Sequence, residues 1–173
     1  MNEGKQYYGK YRGTVINNID PMSMGRIQVI VPDVSNIMPS SWAMPCVPVA
    51  GLQTGIFAVP PMGAGVWVEF EQGDPDHPIW TGCFLGSAAD MPAAAILIPP
   101  GVPGITLQTT LQNSVVVSDM PPTPLTGGIV LRSATGAMIV VNDSGIYIQN
   151  GKGASIMMVG PTVTVNNGAL VVI

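Results

Sequence analysis

The residues best suited to chemistry are the acidic side chains and the single histidine between positions 69 and 77. Asp74, Asp76 and His77 could hold a metal ion, but the stretch GDPDHP joins two strand-like runs and is typical of a turn. Glu69 and Glu71 lie two apart, which suits either a glycosidase-like carboxylate pair or ordinary exposed strand glutamates. No motif marks a nucleophile for a catalytic triad built on His77. We therefore predict that the chain is not an enzyme and has no metal or cofactor.

Three tryptophans, Trp42, Trp67 and Trp80, could form a platform on which single-stranded nucleic acid stacks. However, the chain carries six Lys and Arg against ten Asp and Glu, and the basic residues form no stripe that could bind phosphates. We therefore predict no nucleic-acid partner and expect the tryptophans in a core or a protein interface. Cys46 and Cys83 are far apart in apolar contexts, so free thiols are expected.

The composition is low in charge and rich in turn residues. Charged residues make up 9% of the chain, against about 25% in an ordinary soluble domain, while it contains 21 Gly and 17 Pro. This balance predicts a β-rich protein that meets other protein over much of its surface. No apolar run approaches the roughly 20 residues that cross a bilayer. The start, MNEGKQYYGK, lacks the apolar core of a signal peptide, so synthesis in the cytoplasm is expected.

The first two parts of the chain are a predicted barrel, residues 1–87, and a connector, residues 88–128. The barrel prediction depends on short alternating runs separated by turn residues. Those runs are Gly9–Asn17, Arg26–Val31, Trp42–Val49, Gly55–Ala58, Val66–Glu71 and Ile79–Phe84. The connector is rich in Pro, Ala and Gly, and we expect it to be extended and docked. Two apolar pieces within it, Ile105–Leu111 and Ser114–Val117, are candidate strands.

The third part, residues 129–173, is a run of very short strands, about one every eight residues. Apolar runs alternate with turn residues such as Asn142-Asp143-Ser144-Gly145 and Asn166-Asn167-Gly168. Within the runs, period-two alternation puts pairs of apolar residues on one face of each strand. These pairs are Ile139 and Val141, Ile146 and Ile148, Ile156 and Met158, and Val163 and Val165.

Strands this short and this apolar are difficult to stabilise in a single chain. Their open edges and apolar faces would promote aggregation unless they were covered. The simplest solution is three copies wound about a common axis, with the apolar pairs as its core. Five or six strand layers would then make a rod of roughly 25–30 Å. An ordinary β-sandwich is the alternative.

Several short sequence motifs indicate one family. They are YRGTV at 11–15, NIDP at 18–21, GRIQV at 25–29, SWA at 41–43, PPMGAGVWVEFE at 60–71 and GDPDHPIWTG at 73–82. In this order they resemble the OB-fold domain of the central spike proteins of contractile injection systems. That family includes the phage baseplate assembly protein V group and the C-terminal part of VgrG. In the tail, LRSATGAMI at 131–139 is similar to the start of a VgrG-like needle.

The resemblance implies an all-β protein, with an N-terminal OB-fold barrel followed by an intertwined trimeric β-helix or β-prism needle. It implies a homotrimeric, membrane-piercing spike in the baseplate of a phage tail, a tailocin or a phage-like injection particle. The barrel would join a separate hub protein, with Trp42, Trp67 and Trp80 at the hub or trimer interface.

Three features depart from parts of that family. The connector leaves no room for the lysozyme domain of some phage spikes, and we expect a separate protein to supply the hub half that precedes the barrel in VgrG. An iron-bearing apex is not expected, because His77 is the only histidine. The apolar end Leu170-Val171-Val172-Ile173 would expose a patch in water, so we expect a PAAR-like tip protein to cover it. The alternative function is a trimeric tail-fibre or adhesin-like receptor-binding module.

Overall fold

The computed structural model describes residues 5–172, with side chains up to residue 170. The chain forms two compact units that divide after Ala88. Both units are built from strands, and the helices α1 (Pro32–Ser35) and α2 (Ala93–Ile96) are each a single turn. Within the described residues, no helix has the length and apolar character needed to cross a membrane. The predicted all-β architecture is confirmed.

The first unit is a small barrel. Its main sheet has the order β2-β1-β6-β7-β3, in which all neighbours are antiparallel except β3 and β7. Isolated bridges from Ile27 to Ala43 and from Ile30 to Pro39 link the segment before β3 back to the β2 side, which closes the sheet. The strands are β1 (Tyr11–Asn17), β2 (Gln28–Ile30), β3 (Met44–Pro45), β4 (Ala50–Gly51), β5 (Thr54–Gly55), β6 (Gly65–Phe70) and β7 (Pro78–Phe84).

The barrel core follows from the alternation of its strands. Along β6 the inward residues Val66, Val68 and Phe70 are buried, while their neighbours are only partly covered. They pack with buried side chains from every other side of the barrel, namely Tyr7, Val15, Ile27, Val29, Val31, Ala43 and Trp80. The predicted strands therefore correspond to β1, β2, β3, β6 and β7. The remaining predicted run, Gly55–Ala58, begins in the small hairpin formed by β4 and β5, which is separate from the main sheet.

The second unit is one antiparallel sheet in which each strand pairs with the next in sequence. It begins inside the segment expected as a connector, because both candidate strands there join it. Its eight strands are β8 (Gly104–Gln108), β9 (Ser114–Ser118), β10 (Gly128–Arg132), β11 (Met138–Asn142), β12 (Gly145–Gln149), β13 (Ser155–Val159), β14 (Thr162–Val165) and β15 (Leu170–Val172). Each chain by itself thus contributes a meander of eight strands to the tail.

One face of this sheet carries the core of the second unit. Val130, Met138, Val140 and Tyr147 are buried there, with Val116 and Met157 packed against them. Segments before β8 and before β10 cover part of this face. Ile98 lies over Gly104, and the Asn142 side chain binds the loop before β10. We call this the covered face.

Candidate interaction face of the tail sheet

The opposite face of the tail sheet carries two continuous rows of apolar side chains, which we call the apolar face. The cross-strand register aligns one row from Ile105 to Val163 and the other from Leu107 to Leu170. The first row is Ile105, Val117, Ile129, Val141, Ile146, Met158 and Val163. The second row is Leu107, Val115, Leu131, Ile139, Ile148, Ile156, Val165 and Leu170. Each of the eight strands contributes to at least one row.

These side chains remain accessible in the single chain. Ile105 is 65% exposed at the first strand, and Ile148 is still 37% exposed in the middle of the sheet. Neither row contains a charged, hydroxyl or amide group. The face therefore has no means of moving a proton, holding a metal or binding a polar ligand. It is suited to burial against another apolar surface, which removes this area from water.

The structure places all eight residues predicted for the needle core on this one face. They are Ile139, Val141, Ile146, Ile148, Ile156, Met158, Val163 and Val165. Sequence reasoning did not include the rows' first members. Ile105, Leu107, Val115 and Val117 lie in the segment 88–128, which was interpreted as a connector. Ile129 and Leu131 lie in the predicted needle but were not assigned to its core. Their alternation with Thr106, Val116 and Val130 is the signal that could have identified them.

A polar network at one edge of the sheet fixes the turn between β11 and β12. The Asn142 Oδ1 accepts hydrogen bonds from the Ser144 backbone N–H and hydroxyl, at 2.9 and 2.7 Å. The Tyr147 hydroxyl lies 3.0 Å from the Ser144 Oγ and 3.1 Å from the Ser144 carbonyl oxygen. This network holds the two strands in the pairing that keeps Val141 opposite Ile146.

The three tryptophans of the barrel have different environments. Trp80 is buried in the core, where its Nε1–H donates to the Gly25 carbonyl oxygen at 3.1 Å. Trp67 is half-buried and lies against Phe84 and the Arg12 guanidinium. Trp42 is half-buried beneath the Arg26 guanidinium. Only Trp42 and Trp67 therefore present part of their rings to a partner.

The acidic residues near His77 form a turn. Asp74 Oδ1 accepts from the Asp76 backbone N–H at 3.0 Å, and Asp74 Oδ2 lies 3.0 Å from His77 Nδ1. The hydrogen bond from Asp76, with that from His77, lowers the pKa of the Asp74 carboxyl. Glu69 pairs with Lys10 at 2.8 Å, whereas Glu71 begins a short 3₁₀ turn and so does not continue the strand. Within residues 5–172, no group of three or more potential ligands could hold a metal ion.

Both cysteines are free thiols in the barrel unit, as expected from the sequence. Burial raises the pKa of the Cys83 thiol, so this group is a neutral thiol at neutral pH.

Two family models match the chain, one on each unit. The model of the type VI secretion system/phage-baseplate injector OB domain matches residues 11–85, which contain β1 to β7. The model of the phage baseplate V C-terminal trimerisation domain matches residues 104–171, which contain the tail sheet. The chain belongs to the phage baseplate V family of spike proteins. A comparison with individual curated proteins finds no match.

Membership in the phage baseplate V family gives the two units their roles. The N-terminal barrel is the OB domain of a baseplate injector component, and the tail sheet is its trimerisation domain. The protein is accordingly a homotrimer that assembles into a phage tail-like particle. The resemblance inferred from the sequence is confirmed, and the family is one of structural baseplate proteins.

Proposed function

We propose that this protein is the membrane-piercing central spike of a contractile injection machine. The observation that carries the proposal is the apolar face, since it lies within the trimerisation domain and has no polar group along eight strands. Three copies of this face, turned toward a common axis, would bury one another and form a dry core. Burial between chains then supplies the stability that a single sheet with a solvent-exposed apolar face lacks.

The proposed needle is a three-sided β-prism in which each chain contributes to the inner surface at every level. Eight strands at a spacing of about 4.8 Å give a length of about 38 Å. That exceeds the length expected from the sequence because β8 and β9, which lie before residue 129, also belong to the sheet. Intertwining of the three chains is a further element of the proposal, and it would cover the sheet edges at β8 and β15.

The charge distribution of the tail suits a rod that is driven through a bilayer. From 104 to 172 the chain carries only Asp119, Arg132, Asp143 and Lys152, and all four are exposed and lie off the apolar face. Each charge moved into hydrocarbon costs several kcal/mol or more, so a rod with few charges crosses at lower cost. Sheath contraction would supply the force, and the chain needs stiffness rather than a reactive group.

The barrel and the C-terminal end are the proposed contacts with other baseplate components. Trp42 and Trp67 are the proposed hub contacts, whereas the burial of Trp80 assigns that residue to the barrel core. A PAAR-like tip protein is proposed at the end of the tail, where Leu170 is exposed and β15 is an edge strand. The remaining predicted contact residues are Val171 and Val172, of which only the backbone is described, and Ile173, which lies outside the described residues.

A receptor-binding fibre is less compatible with the tail than a spike. Such a module needs exposed aromatic and polar groups to recognise a glycan or a surface protein. Tyr147 is the sole aromatic residue between 104 and 172, and it is buried with its hydroxyl bound to Ser144.

The test combines the purified chain with the assembled particle. Native mass spectrometry of the full chain should give three times the 18.0 kDa of one copy. Contractile particles assembled with Ile148→Asp should lose the needle and target-cell killing, while particles with Val159→Asp should retain both. Full killing by particles whose Ile148→Asp chain is monomeric would contradict the proposal.

A further inference from the structure

The outer face of the barrel carries one guanidinium stacked with two aromatic rings. Arg12 on β1 pairs directly with Trp67 on β6, and both face outward because Val66 and Val68 point into the core. The Arg12 guanidinium carbon lies 5.6 Å from the centre of the Trp67 ring and 5.3 Å from the centre of the Phe84 ring. The two ring centres are 5.2 Å apart. We call these three residues the Arg12 stack.

A glycine makes the Arg12 stack possible. Gly65 lies directly opposite Phe84, and a Cβ at Gly65 would be only 2.6 Å from the Phe84 ring. The ring therefore fills the space that any other side chain at position 65 would need. Since two rings support the Arg12 guanidinium, this group loses less conformational freedom when it binds an acceptor.

The barrel contains a second stack of this kind, and there the guanidinium has a carboxylate partner. The Arg26 guanidinium carbon lies 5.5 Å from the centre of the Trp42 ring, and Arg26 Nη2 lies 2.6 Å from Asp20 Oδ1. The indole contacts the planar face of the guanidinium, while the carboxylate accepts hydrogen bonds from its N–H groups. These two contacts use different parts of the group, so they are compatible.

The Arg12 stack has the aromatic contact but not the carboxylate. Arg12 is exposed and forms no ion pair with any residue that the structure describes. Glu69 is the next outward-facing residue of β6, but it already pairs with Lys10 at 2.8 Å. The N–H groups of Arg12 therefore remain available to an acceptor from outside the chain.

The residue types of the stack favour a protein as the source of that acceptor. Trp and Arg are the residues most enriched at the energetic centres of protein interfaces, where they are desolvated together. A carboxylate side chain can accept two parallel hydrogen bonds from the guanidinium, while the rings cover its aliphatic part. Trimerisation is assigned to residues 104–171, which leaves the outer face of the barrel for a different protein.

We propose that the Arg12 stack binds an Asp or Glu side chain of the hub protein, and so forms the same arrangement that Asp20, Arg26 and Trp42 form within the barrel. This inference rests on the proposed hub contact at Trp67 and adds the chemical group that the contact recognises. It does not depend on membrane piercing.

Carbodiimide coupling in the assembled particle tests the proposal. Particles are assembled with Arg12→Lys, because carbodiimide joins a lysine amine, but not a guanidinium, to a carboxylate in contact with it. Mass spectrometry of the digested particles should show the introduced lysine joined to an Asp or Glu of another baseplate protein. Wild-type particles are the matched control and should lack this product.

An internal pair reports whether the reagent has reached the barrel. Lys10 and Glu69, at 2.8 Å, should become coupled in both kinds of particle. If that pair is coupled while the introduced lysine is not, the proposal is overturned. Coupling of the introduced lysine only to carboxylates of this chain would also overturn it.

A second measurement separates the carboxylate site from the hub contact. Arg12→Gln should lower the amount of this protein retained in washed particles at least about tenfold, since the partner's carboxylate is left without a cation. Arg132→Gln, the same substitution at an exposed position of the tail, should leave retention unchanged. Native mass spectrometry checks that each variant is still a trimer.

Trp67→Ala distinguishes the two ways in which the proposal could fail. If Trp67→Ala releases the protein from particles while Arg12→Gln is fully retained, the hub contact stands and the carboxylate site is overturned. Full retention of both variants would overturn the hub contact at Trp67 as well.

Discussion

Two exposed aliphatic residues on opposite faces of the tail sheet give the sharpest test of the trimer core. Ile148 on the apolar face is 37% exposed in the single chain, and Val159 on the opposite face is 46% exposed. Judged from one chain alone, truncating either residue should have a similarly small effect. If the apolar faces of three chains pack together, only Ile148 is fully buried in the assembly. Ile148→Ala and Val159→Ala therefore distinguish the buried face from the outer one.

The expected magnitudes differ strongly. Truncating a well-buried Ile to Ala costs about 2–5 kcal/mol, and every trimer contains three copies of the change. Even the lower value gives about 6 kcal/mol per trimer, or about a 10⁴-fold increase in the dissociation constant for the three chains. A truncation at the solvent-exposed face is expected to cost about 0.5 kcal/mol or less per chain.

The assay is the concentration dependence of the trimer population, measured by native mass spectrometry or analytical ultracentrifugation. Circular dichroism of each variant monitors whether the strands persist. Ile148→Ala should move the dissociation midpoint to much higher protein concentration, and Val159→Ala should leave it close to that of the wild type. Equal shifts in the two variants, or a larger shift for Val159→Ala, would refute the assignment of the apolar face to the trimer core.

Three further predictions concern the two units separately. Hydrogen bonds from Arg26 hold the pKa of the Asp20 carboxyl well below its usual range. The ionised Asp20 therefore stabilises the fold fully above the unfolded pKa of about 3.9, and this stabilisation is lost as the pH falls further. The melting temperature of Asp20→Asn should be lower than that of the wild type from pH 5 to 8, and the difference should narrow below about pH 4. Asn142→Ala should cost about 1–3 kcal/mol and expose the loop 121–127 to limited proteolysis, because the Asn142 Nδ2 lies 2.8 and 2.9 Å from two carbonyl oxygens of that loop. Gly128→Ala should destabilise the tail by more than about 1 kcal/mol in denaturant unfolding, since Gly128 has φ +70° and a Cβ would collide with the Val141 carbonyl oxygen; Gly153→Ala, at φ +103° with no atom near the added Cβ, isolates the backbone part of that cost.

The barrel strands could be predicted because alternation and turn residues act locally. Val66, Val68 and Phe70 alternate with Trp67 and Glu69, and the structure buries the first set. Closure of the barrel depends on bridges between residues distant in sequence, such as Ile27 and Ala43, and no local pattern encodes them. For the same reason the sequence could not separate the buried Trp80 from the partly exposed Trp42, since both lie in similar apolar runs.

The extent of the tail sheet was harder to predict than its existence. Pro and Gly around 99–104 and 121–128 are typical of an extended connector, and that composition hid β8 and β9. Those strands join the sheet because their apolar residues continue the two rows, which is a tertiary reason rather than a local one. Ile105 and Leu107 are removed from water by that arrangement only when another chain covers the apolar face.

The apolar positions switch between odd and even residue numbers along the tail. This switching is the strongest argument that the sequence encodes the apolar face. From Ile105 to Val141 the residues of both rows have odd numbers, and from Ile146 to Met158 they have even numbers. The phase changes again at Val163 and at Leu170. Each change falls at a turn, at 143–144, 160–161 or 166–169. The two strands that flank each of these turns pair odd-numbered residues with even-numbered ones. A one-residue slip in any pair would move every later apolar side chain to the wrong face. Apolar residues that follow three such phase changes indicate that burial of this face, across chains, is what the turns and strands are arranged to achieve.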